Sequence, residues 1–314
     1  MTAQTGTGKY ERLLARCRTL DPVPTAVAHP CDSSSLAGAL DAATQGLIVP
    51  ILVGPEAKIR EVAAANRIDL GTMRIVDAPH SHGSAAQAVE LVRTGQAELL
   101  MKGSLHTDEL LGAVVSREHG LRTGRRMSHV FIMDVPTYHK VLVVTDAAIN
   151  IAPTLEDKAD ILQNAIDLAV SLGVALPKVA VLAAVETVNS RMQATLDAAA
   201  LCKMADRGQI KGAIVDGPLA FDNAISAEAA RTKGITSAVA GDPDILLVPD
   251  LEAGNILAKQ LTFLANADSA GLALGARVPI ILTSRADSVR SRIASAAVGM
   301  LAAHARRQAL QATV

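Results

Sequence analysis

The polar segment that follows residues 278–282 contains the residue types in this sequence best suited to chemistry. Residues 278–282 are an apolar run of strand length, and the side chains after them include Ser284, Arg285 and Asp287. Apolar residues then recur at helical spacing, which predicts that a helix begins near Asp287 or Ser288. A helix N-terminus and an arginine fork both suit a phosphate group. The alternative is that Asp287 or Ser288 only caps the helix.

A second polar segment follows the apolar run 245–248 and is predicted to open another helix. It contains Asp250, Glu252 and Asn255, which could orient a polar ligand or could cap a helix and complete a turn. Capping is the favoured interpretation from sequence. Ligands bind outside the carboxyl ends of strands in open α/β sheets, so both segments are expected at a ligand-binding edge.

Basic residues at two other places are candidates for binding an anion. Lys102 and Gly103 follow a predicted strand at 99–101, where a lysine can neutralise a phosphate as a point charge. Arg125 and His129 belong to a basic cluster ahead of a predicted hairpin, together with Arg122 and Arg126. A solvated lysine and a solvated basic loop are the alternatives.

The elements that must position these residues alternate between short apolar strands and amphipathic helices. Strands are predicted at 25–28, 48–53, 73–76, 99–101, 130–135, 141–145, 179–184, 212–215, 245–248 and 278–282, and helices at 10–20, 36–44, 58–66, 85–94, 107–116, 156–172, 191–206 and 227–232. This alternation predicts an α/β fold with parallel pairing. The exception is a hairpin, since only the short loop 136–140 separates strands 130–135 and 141–145.

Composition excludes several classes of protein. Half of the 314 residues are hydrophobic, aromatic residues make up 2%, and the formal net charge is −1. This balance predicts no nucleic-acid partner, and every apolar run is too interrupted to span a membrane. The three cysteines, Cys17, Cys31 and Cys202, fit no disulfide or zinc pattern, which predicts a reducing cytoplasm. His80 and His82 have no further ligand at suitable spacing, so no metal site is expected.

Four segments occur in an order that resembles the phosphate acetyltransferase and phosphate butyryltransferase family. They are V-T-D-A-A-I-N-I-A-P at 144–153, D-G-P-L-A-F-D-N-A-I at 216–225, P-D-I-L-L-V-P-D-L-E-A-G-N at 243–255 and P-I-I-L-T-S-R-A-D-S at 279–288. The resemblance extends over nearly all of the chain from about Thr25, and the last two segments are the most specific as a pair.

The resemblance implies an activity and an architecture. The activity is reversible transfer of a short acyl group, acetyl or butyryl, between coenzyme A and inorganic phosphate, with coenzyme A as a substrate and no bound cofactor. The architecture is two α/β/α domains around a cleft, as in isocitrate and isopropylmalate dehydrogenases. The first domain takes residues 1–148 and 284–314 and the second takes 149–283, with the active site in the cleft. A homodimer is also implied.

The resemblance also implies roles for single residues. Ser284 would stabilise the substrate and Arg285 would bind phosphate. Acetyl-type members have an acidic residue further along the segment, and the corresponding position in this sequence is occupied by Ser291. The nearest carboxylate is Asp287, which leaves the identity of the base open. The expected substrate-binding residues are Lys102, Gly103, Arg125, His129, Asn150, Asn255 and Ser288.

Two other functions remain open from sequence. One is a metal-dependent, NAD-linked decarboxylating dehydrogenase of related fold, for which Asp250 and Glu252 are too few carboxylates. The other is a non-catalytic paralogue that binds coenzyme A, which the serine at position 291 keeps open.

Overall fold

The computed structural model describes residues 8–283 and 287–312 of the 314-residue chain. Ser284 and Arg285, which are predicted to act in catalysis, therefore lie outside the described residues. The chain divides into two compact units. The first consists of Met1–Arg125 and Ala270–Val314, and the second is Arg126–Ser269.

The described elements alternate along most of the chain. The strands are β1 Val23–Ala28, β2 Ile48–Gly54, β3 Arg74–Asp77, β4 Leu99–Lys102, β5 Ser128–Asp134, β6 Leu142–Thr145, β7 Lys178–Leu182, β8 Ile214–Leu219, β9 Ile245–Leu247, β10 Asp268–Leu274 and β11 Ile280–Ile281. The helices are α1 Lys9–Cys17, α2 Ser33–Thr44, α3 Glu56–Ala65, α4 Ser81–Arg93, α5 Thr107–Val114, α6 Leu155–Ser171, α7 Gln193–Asp206, α8 Phe221–Ile225, α9 Ala227–Thr232, α10 Leu251–Leu264 and α11 Val289–Gln311.

The sheet of the first unit is mixed, with strand order β3-β2-β1-β4-β11-β10. The first five of these strands run parallel to one another, and β10 pairs antiparallel with β11. The predicted βαβ alternation of the N-terminal half is therefore confirmed. Strand β10 was not predicted, because its sequence contains no β-branched residue and reads as a loop.

The sheet of the second unit has strand order β5-β6-β9-β7-β8. Strands β5 and β6 pair antiparallel, with Val130 opposite Thr145, which confirms the predicted hairpin. The other neighbours pair parallel. The short helix α8 is an addition to the predicted elements.

The observed unit boundaries differ from those expected from sequence. The chain divides at 125/126 and 269/270, whereas 148/149 and 283/284 were expected. Pairing explains the difference. Strand β6 of the hairpin pairs with β9 inside the second unit, and β11 pairs with β4 inside the first.

A buried ion pair joins α6 to α7 within the second unit. Lys158 Nζ lies 2.6 Å from Asp197 Oδ2, and the two side chains are only 6% and 7% exposed. Gln193 donates a further hydrogen bond to Asp197 Oδ1 at 2.8 Å. Each of these buried charges needs the other, because a single charge removed from water would have no opposite charge to offset its desolvation.

Substitution of Lys158 by methionine therefore should lower the free energy of unfolding by about 3–5 kcal/mol, since the Asp197 carboxylate stays buried without its cation. Urea denaturation measures this loss. The double variant Lys158→Met/Asp197→Leu should recover most of it, because no buried charge remains. Lys203→Met is a matched control in the exposed pair with Asp206, whose side chains are 65% and 62% exposed. A loss in the control as large as in Lys158→Met would contradict the prediction.

Candidate functional site

Three neighbouring parallel strands of the first unit end at the same edge of its sheet. Ala28, the last residue of β1, lies opposite Lys102, the last residue of β4, and Ile281 of β11 lies opposite Met101. Neighbouring strands are about 4.8 Å apart, so residues just past these ends lie close together. This edge therefore brings the Lys102–Gly103 turn next to the end of β11, the strand that leads to the predicted catalytic segment.

Gly103 has a structural reason to be glycine. A Cβ at this position would lie 2.5 Å from the carbonyl oxygen of His29 and would also collide with that of Ala28. The Gly103 amide donates to the Ala28 carbonyl at 2.8 Å. Any side chain would therefore push the ends of β1 and β4 apart. Close packing accounts for this residue, while its contact with a substrate stays a prediction.

Lys102 is half-buried at the end of β4, and its Nζ donates to the Gly103 carbonyl at 3.3 Å. The sequence predicted this lysine as an anion-binding residue, and its position at the carboxyl edge is consistent with that role.

Helix α11 begins as the helical spacing predicts. Ser288 is the N-cap, and its hydroxyl accepts a hydrogen bond from the Ser291 amide at 3.0 Å. Asp287 is not the capping residue. Its carbonyl accepts a hydrogen bond from Arg292 Nη1 at 2.8 Å, and the same Nη1 donates to Ser34 Oγ at 2.9 Å. Arg292 thus joins Asp287, which directly precedes the N-cap of α11, to the first turn of α2.

Arg290, in the first turn of α11, fixes the same helix start to α1. Its guanidinium carbon lies 3.8 Å from the centre of the Tyr10 ring, and Nη1 lies 3.6 Å from Glu11 Oε1. A guanidinium stacked on an aromatic face gains electrostatic attraction in addition to packing. Together with Arg292, this contact positions the first turn of α11 from two sides.

Asn150 and Asn255 meet at the loop after β6 in the second unit. Asn150 is buried, and its Nδ2 donates to the Met127 carbonyl at 2.8 Å and to Asp146 Oδ2 at 2.5 Å. Asn255 Nδ2 donates to the Ala147 carbonyl at 3.1 Å. The structure therefore brings two predicted binding residues to one loop, where both hold backbone carbonyls.

Asp146 and Arg126 complete this network. The Asp146 carboxylate accepts hydrogen bonds from the amides of Ala148 and Ile149 at 2.9 and 3.0 Å. Arg126 Nε donates to Asn150 Oδ1 at 2.8 Å, and Nη1 lies 3.6 Å from Asp157 Oδ1. The side chain of Arg126 is 54% exposed, so its guanidinium is held in place yet accessible to an anion. The sequence placed Arg126 in the basic cluster without assigning it a role.

His129 does not lie in a solvated basic loop. It is 3% exposed, its ring lies edge-on to Phe131 at 4.5 Å, and Nδ1 has no hydrogen-bond partner among the described residues. Burial lowers the pKa of this imidazole to about 4, and the nearby Asp146 carboxylate opposes the shift only in part. A buried neutral ring is a poor anion ligand, so the structure gives no support to the predicted binding role of His129.

Arg125 is exposed, and its amide donates to Thr123 Oγ1 at 3.1 Å. It is the last residue of its segment of the first unit, and its exposure permits the predicted contact with an anion.

His29 is a candidate that sequence reasoning missed. It directly follows β1, has a backbone φ of 57°, and its Nδ1 lies 3.0 Å from Ser84 Oγ. Burial lowers the pKa of this imidazole and His80 acts in the same direction, whereas Glu109 and Asp32 raise it. The criterion that selected Lys102, a polar residue at the end of a strand, could have selected His29 as well.

Neither a metal centre nor a membrane span is found in the parts of the chain that the structure describes. Within residues 8–283 and 287–312, no group of three or more His, Cys, Asp or Glu side chains is arranged to hold a metal ion. Over the same residues, no helix combines the length and the apolar character needed to cross a membrane.

An α/β fold with anion-binding side chains at strand ends is typical of enzymes that act on phosphate-containing ligands. A profile of the family described as phosphate acetyl/butaryl transferase matches residues 80–300. The chain belongs to this family, which confirms the resemblance based on the four sequence segments.

Individual relatives agree with the family assignment. The phosphate acetyltransferase of Rhizobium meliloti is 64% identical over 306 residues, which cover 98% of this chain and 97% of the relative. The phosphate butyryltransferase of Clostridium beijerinckii is 43% identical over 294 residues, which cover 94% and 97%. The structure of a branched-chain phosphotransacylase from Enterococcus faecalis matches with a TM-score of 0.78 and 32% identity, over 90% of this chain and 99% of that chain.

The burial of His129 predicts a specific pH dependence of stability. Its pKa is lowered from 6.5 to about 4 in the folded protein, so below pH 6.5 the unfolded chain binds a proton that the folded chain does not. The contribution of a neutral His129 is therefore complete above pH 6.5 and decreases as the pH falls towards 4.

The measurement is the difference in free energy of unfolding between wild type and His129→Phe, determined from pH 7.5 to pH 4. As the pH falls, the free energy of unfolding of the wild type should decrease relative to that of His129→Phe. His119→Phe is the control, because the side chain of His119 is 78% exposed. A wild-type minus His129→Phe difference that is constant with pH would contradict the prediction.

Proposed function

We propose that this protein catalyses the reversible transfer of a short acyl group between coenzyme A and inorganic phosphate, so that acyl-CoA and phosphate give acyl phosphate and free coenzyme A. The observation that supports this most strongly is the family match over residues 80–300, with 64% identity to a phosphate acetyltransferase over 98% of the chain. Acetyl and butyryl groups are both candidates, since relatives with either name align over nearly the whole chain.

The phosphate is proposed to bind at the segment between β11 and α11. Arg285 would neutralise it with a planar fork of donors, and the N-terminus of the 23-residue helix α11 would add partial positive charge. Lys102, at the end of the neighbouring strand β4, is a second cation at the same edge. The bonds of Arg292 to Asp287 and Ser34 support this location, because they hold the start of α11 to the rest of the unit.

The chemical step is proposed as a direct displacement with no covalent enzyme intermediate. In one direction the coenzyme A sulfur attacks the acyl carbonyl, the bond to the phosphate oxygen breaks, and phosphate leaves. Ser284 would donate a hydrogen bond to the oxyanion that forms on the carbonyl oxygen. Such a donor contributes about 3–4 kcal/mol to stabilisation of the transition state. Positioning of the two substrates supplies a further large part of the rate.

Other features of the proposal rest on the family resemblance. These are a fold related to isocitrate and isopropylmalate dehydrogenases and a homodimer. The proposed cytoplasmic location rests instead on the three scattered cysteines. Coenzyme A is proposed as a substrate, with no other cofactor.

The direct test incubates the protein with acetyl-, propionyl- or butyryl-CoA and follows the release of free thiol with and without phosphate. Phosphate-dependent release establishes the reaction, and the relative rates identify the acyl group. One methylene in an acyl pocket changes discrimination by about 1–3 kcal/mol, so the preferred chain length should be clear. No release with any of the three thioesters would reject the function in favour of a non-catalytic role in binding coenzyme A.

Arg285→Ala should lower kcat/KM by roughly 10²–10³-fold, as loss of a charged donor to a transition-state oxygen does, while the melting temperature stays near that of the wild type. The measurement is phosphate-dependent thiol release together with thermal unfolding. Arg207→Ala serves as the control, because Arg207 is exposed at the end of α7 in the other unit. Turnover by Arg285→Ala equal to that of the control would reject the role of this residue.

Asp287→Asn should slow acyl transfer much more than it lowers stability, because Ser288 rather than Asp287 caps α11. Ser288→Ala is the matched variant for capping and should cost about 1 kcal/mol in the free energy of unfolding. The two variants are compared by turnover and by urea denaturation. A loss of stability in Asp287→Asn as large as in Ser288→Ala, with turnover unchanged, would assign Asp287 a structural role only.

A further inference from the structure

His29 and Ser84 form a polar pair beside the carboxyl end of β1. Ser84 lies in the first turn of α4, is fully buried, and donates its hydroxyl hydrogen to the His80 carbonyl at 3.0 Å. His29 Nδ1 lies 3.0 Å from the same hydroxyl oxygen. A serine hydroxyl has a single hydrogen, so the oxygen accepts from His29 Nδ1 when that hydrogen is donated to the His80 carbonyl.

This hydrogen-bond arrangement favours one tautomer of His29. Nδ1 carries the hydrogen that is donated to Ser84, and in the neutral ring Nε2 then has the basic lone pair. Burial favours the neutral ring by lowering its pKa. A neutral His29 in this tautomer has its basic nitrogen at Nε2, which is the form that a general base requires.

The backbone of His29 is held in an uncommon conformation. Its φ of 57° lies in the left-handed region, which few residues other than glycine adopt, although histidine, asparagine and aspartate do so more often than most. The His29 carbonyl accepts hydrogen bonds from the amides of Cys31 and Ser104 and from Ser104 Oγ, each at 2.8 Å. These bonds tie His29 to the turn after β4. Strain that the surrounding structure maintains is concentrated at functional sites.

His29 also occupies the edge where the proposed reaction would take place. Strand β1 neighbours β4, and β4 neighbours β11, so the ends of β1 and β11 are two strand spacings apart, about 10 Å. A coenzyme A thiol that reaches the carboxyl edge of this sheet would lie within the reach of side chains from all three strand ends.

We propose that His29 Nε2 is the general base that accepts the thiol proton of coenzyme A. This inference rests on the proposed acyl transfer. As the sulfur forms its bond to the acyl carbon, the S–H proton moves to Nε2, the carbon–oxygen bond to phosphate breaks, and the electron pair of that bond leaves with phosphate. The proton on His29 then passes to the departing phosphate or to water, which restores the neutral ring.

The difference in basicity favours an imidazole over a carboxylate for this step. A thiol has a pKa of about 8.5, an imidazole about 6.5 and an aspartate about 3.9. Proton transfer from the thiol to Asp287 would therefore be opposed by a gap of roughly four to five pKa units, compared with about two for an unperturbed histidine. Asp287 remains available to act on the phosphate side of the reaction.

The charges around His29 act in both directions. Glu109, in the first turn of α5, and Asp32, the N-cap of α2, favour the imidazolium that forms when the thiol proton arrives. Burial and His80, the N-cap of α4, oppose it. The result is a ring that rests in its neutral form and has two carboxylates nearby to stabilise its transient charge.

The test uses His29→Asn, since asparagine tolerates the left-handed backbone and should leave the melting temperature near that of the wild type. We expect kcat for the reaction of coenzyme A with acyl phosphate, followed by loss of free thiol, to fall by about 10²–10⁴-fold, the usual loss when a general base is removed. The acidic limb of the pH profile of kcat/KM, which reports protonation of the base, should disappear. His119→Asn, at an exposed site, should retain both the rate and the acidic limb.

Three outcomes would overturn the proposal. One is wild-type turnover in His29→Asn. Another is a slower His29→Asn that keeps the acidic limb. The third is loss of the acidic limb in Asp287→Asn while His29→Asn keeps it, which would assign the proton to the carboxylate.

An independent measurement separates this proposal from the proposed function. Nitrogen-15 NMR of histidine-labelled protein, with the His29 signal assigned by its absence in His29→Asn, should show a hydrogen on Nδ1 and none on Nε2 at pH 7.5. Ser84→Ala should remove this preference. A hydrogen on Nε2 in the wild type would overturn the proposal whatever the activity. An inactive wild type with the expected tautomer would instead reject the acyl transfer.

Discussion

The close approach of the chain at the ends of β1 and β4 is the contact on which the ligand-binding edge of the first unit depends. Gly103 lies directly against the carbonyl groups of Ala28 and His29, where no side chain would fit. The amides of Gly103 and Ser104 donate hydrogen bonds to these same two carbonyls. Because every buried backbone group needs a partner, this small set of bonds determines the path of both loops after the strands.

Several functional candidates of the first unit depend on that geometry. His29 keeps its left-handed backbone because Cys31 and Ser104 both bind its carbonyl, and Lys102 is the last residue of the strand that precedes the glycine. Arg292 has a comparable function at the start of α11, where one guanidinium nitrogen joins Asp287 to Ser34. The positions of His29 and of the start of α11 thus depend on hydrogen bonds to backbone carbonyls.

The second unit uses a different arrangement to hold its polar loop. The buried Asp146 carboxylate binds the amides that follow it, and Asn150 connects that carboxylate to Arg126. A buried charge is tolerated only when hydrogen bonds replace its water, which this loop supplies from its own backbone. Asn150 uses its side-chain amide in hydrogen bonds within the loop, so it suits a positioning role. Arg126 has an accessible guanidinium, which suits contact with an anionic ligand.

The sequence by itself determined the fold class, nearly all of the elements and the family. Apolar periodicity is a local property, and the specific segment 279–288 is sufficient, together with 243–255, to indicate the relatives from residue types alone. The start of α11 was predicted to within one residue because capping depends on neighbours along the chain. The missing strand was β10, whose small residues give no local signal and whose pairing with β11 is a tertiary contact.

Only the tertiary structure decided which polar residues are accessible, paired or buried. His129 and Arg126 look alike in the sequence as parts of one basic cluster, yet the ring of His129 is buried while the guanidinium of Arg126 reaches solvent. Ser84 lies 55 residues from His29, and no spacing rule connects them. Burial and hydrogen-bond pairing depend on packing between distant segments, and these set the charge state and tautomer of a side chain. The residue types at a site are therefore visible in the sequence, whereas their chemistry follows from the fold.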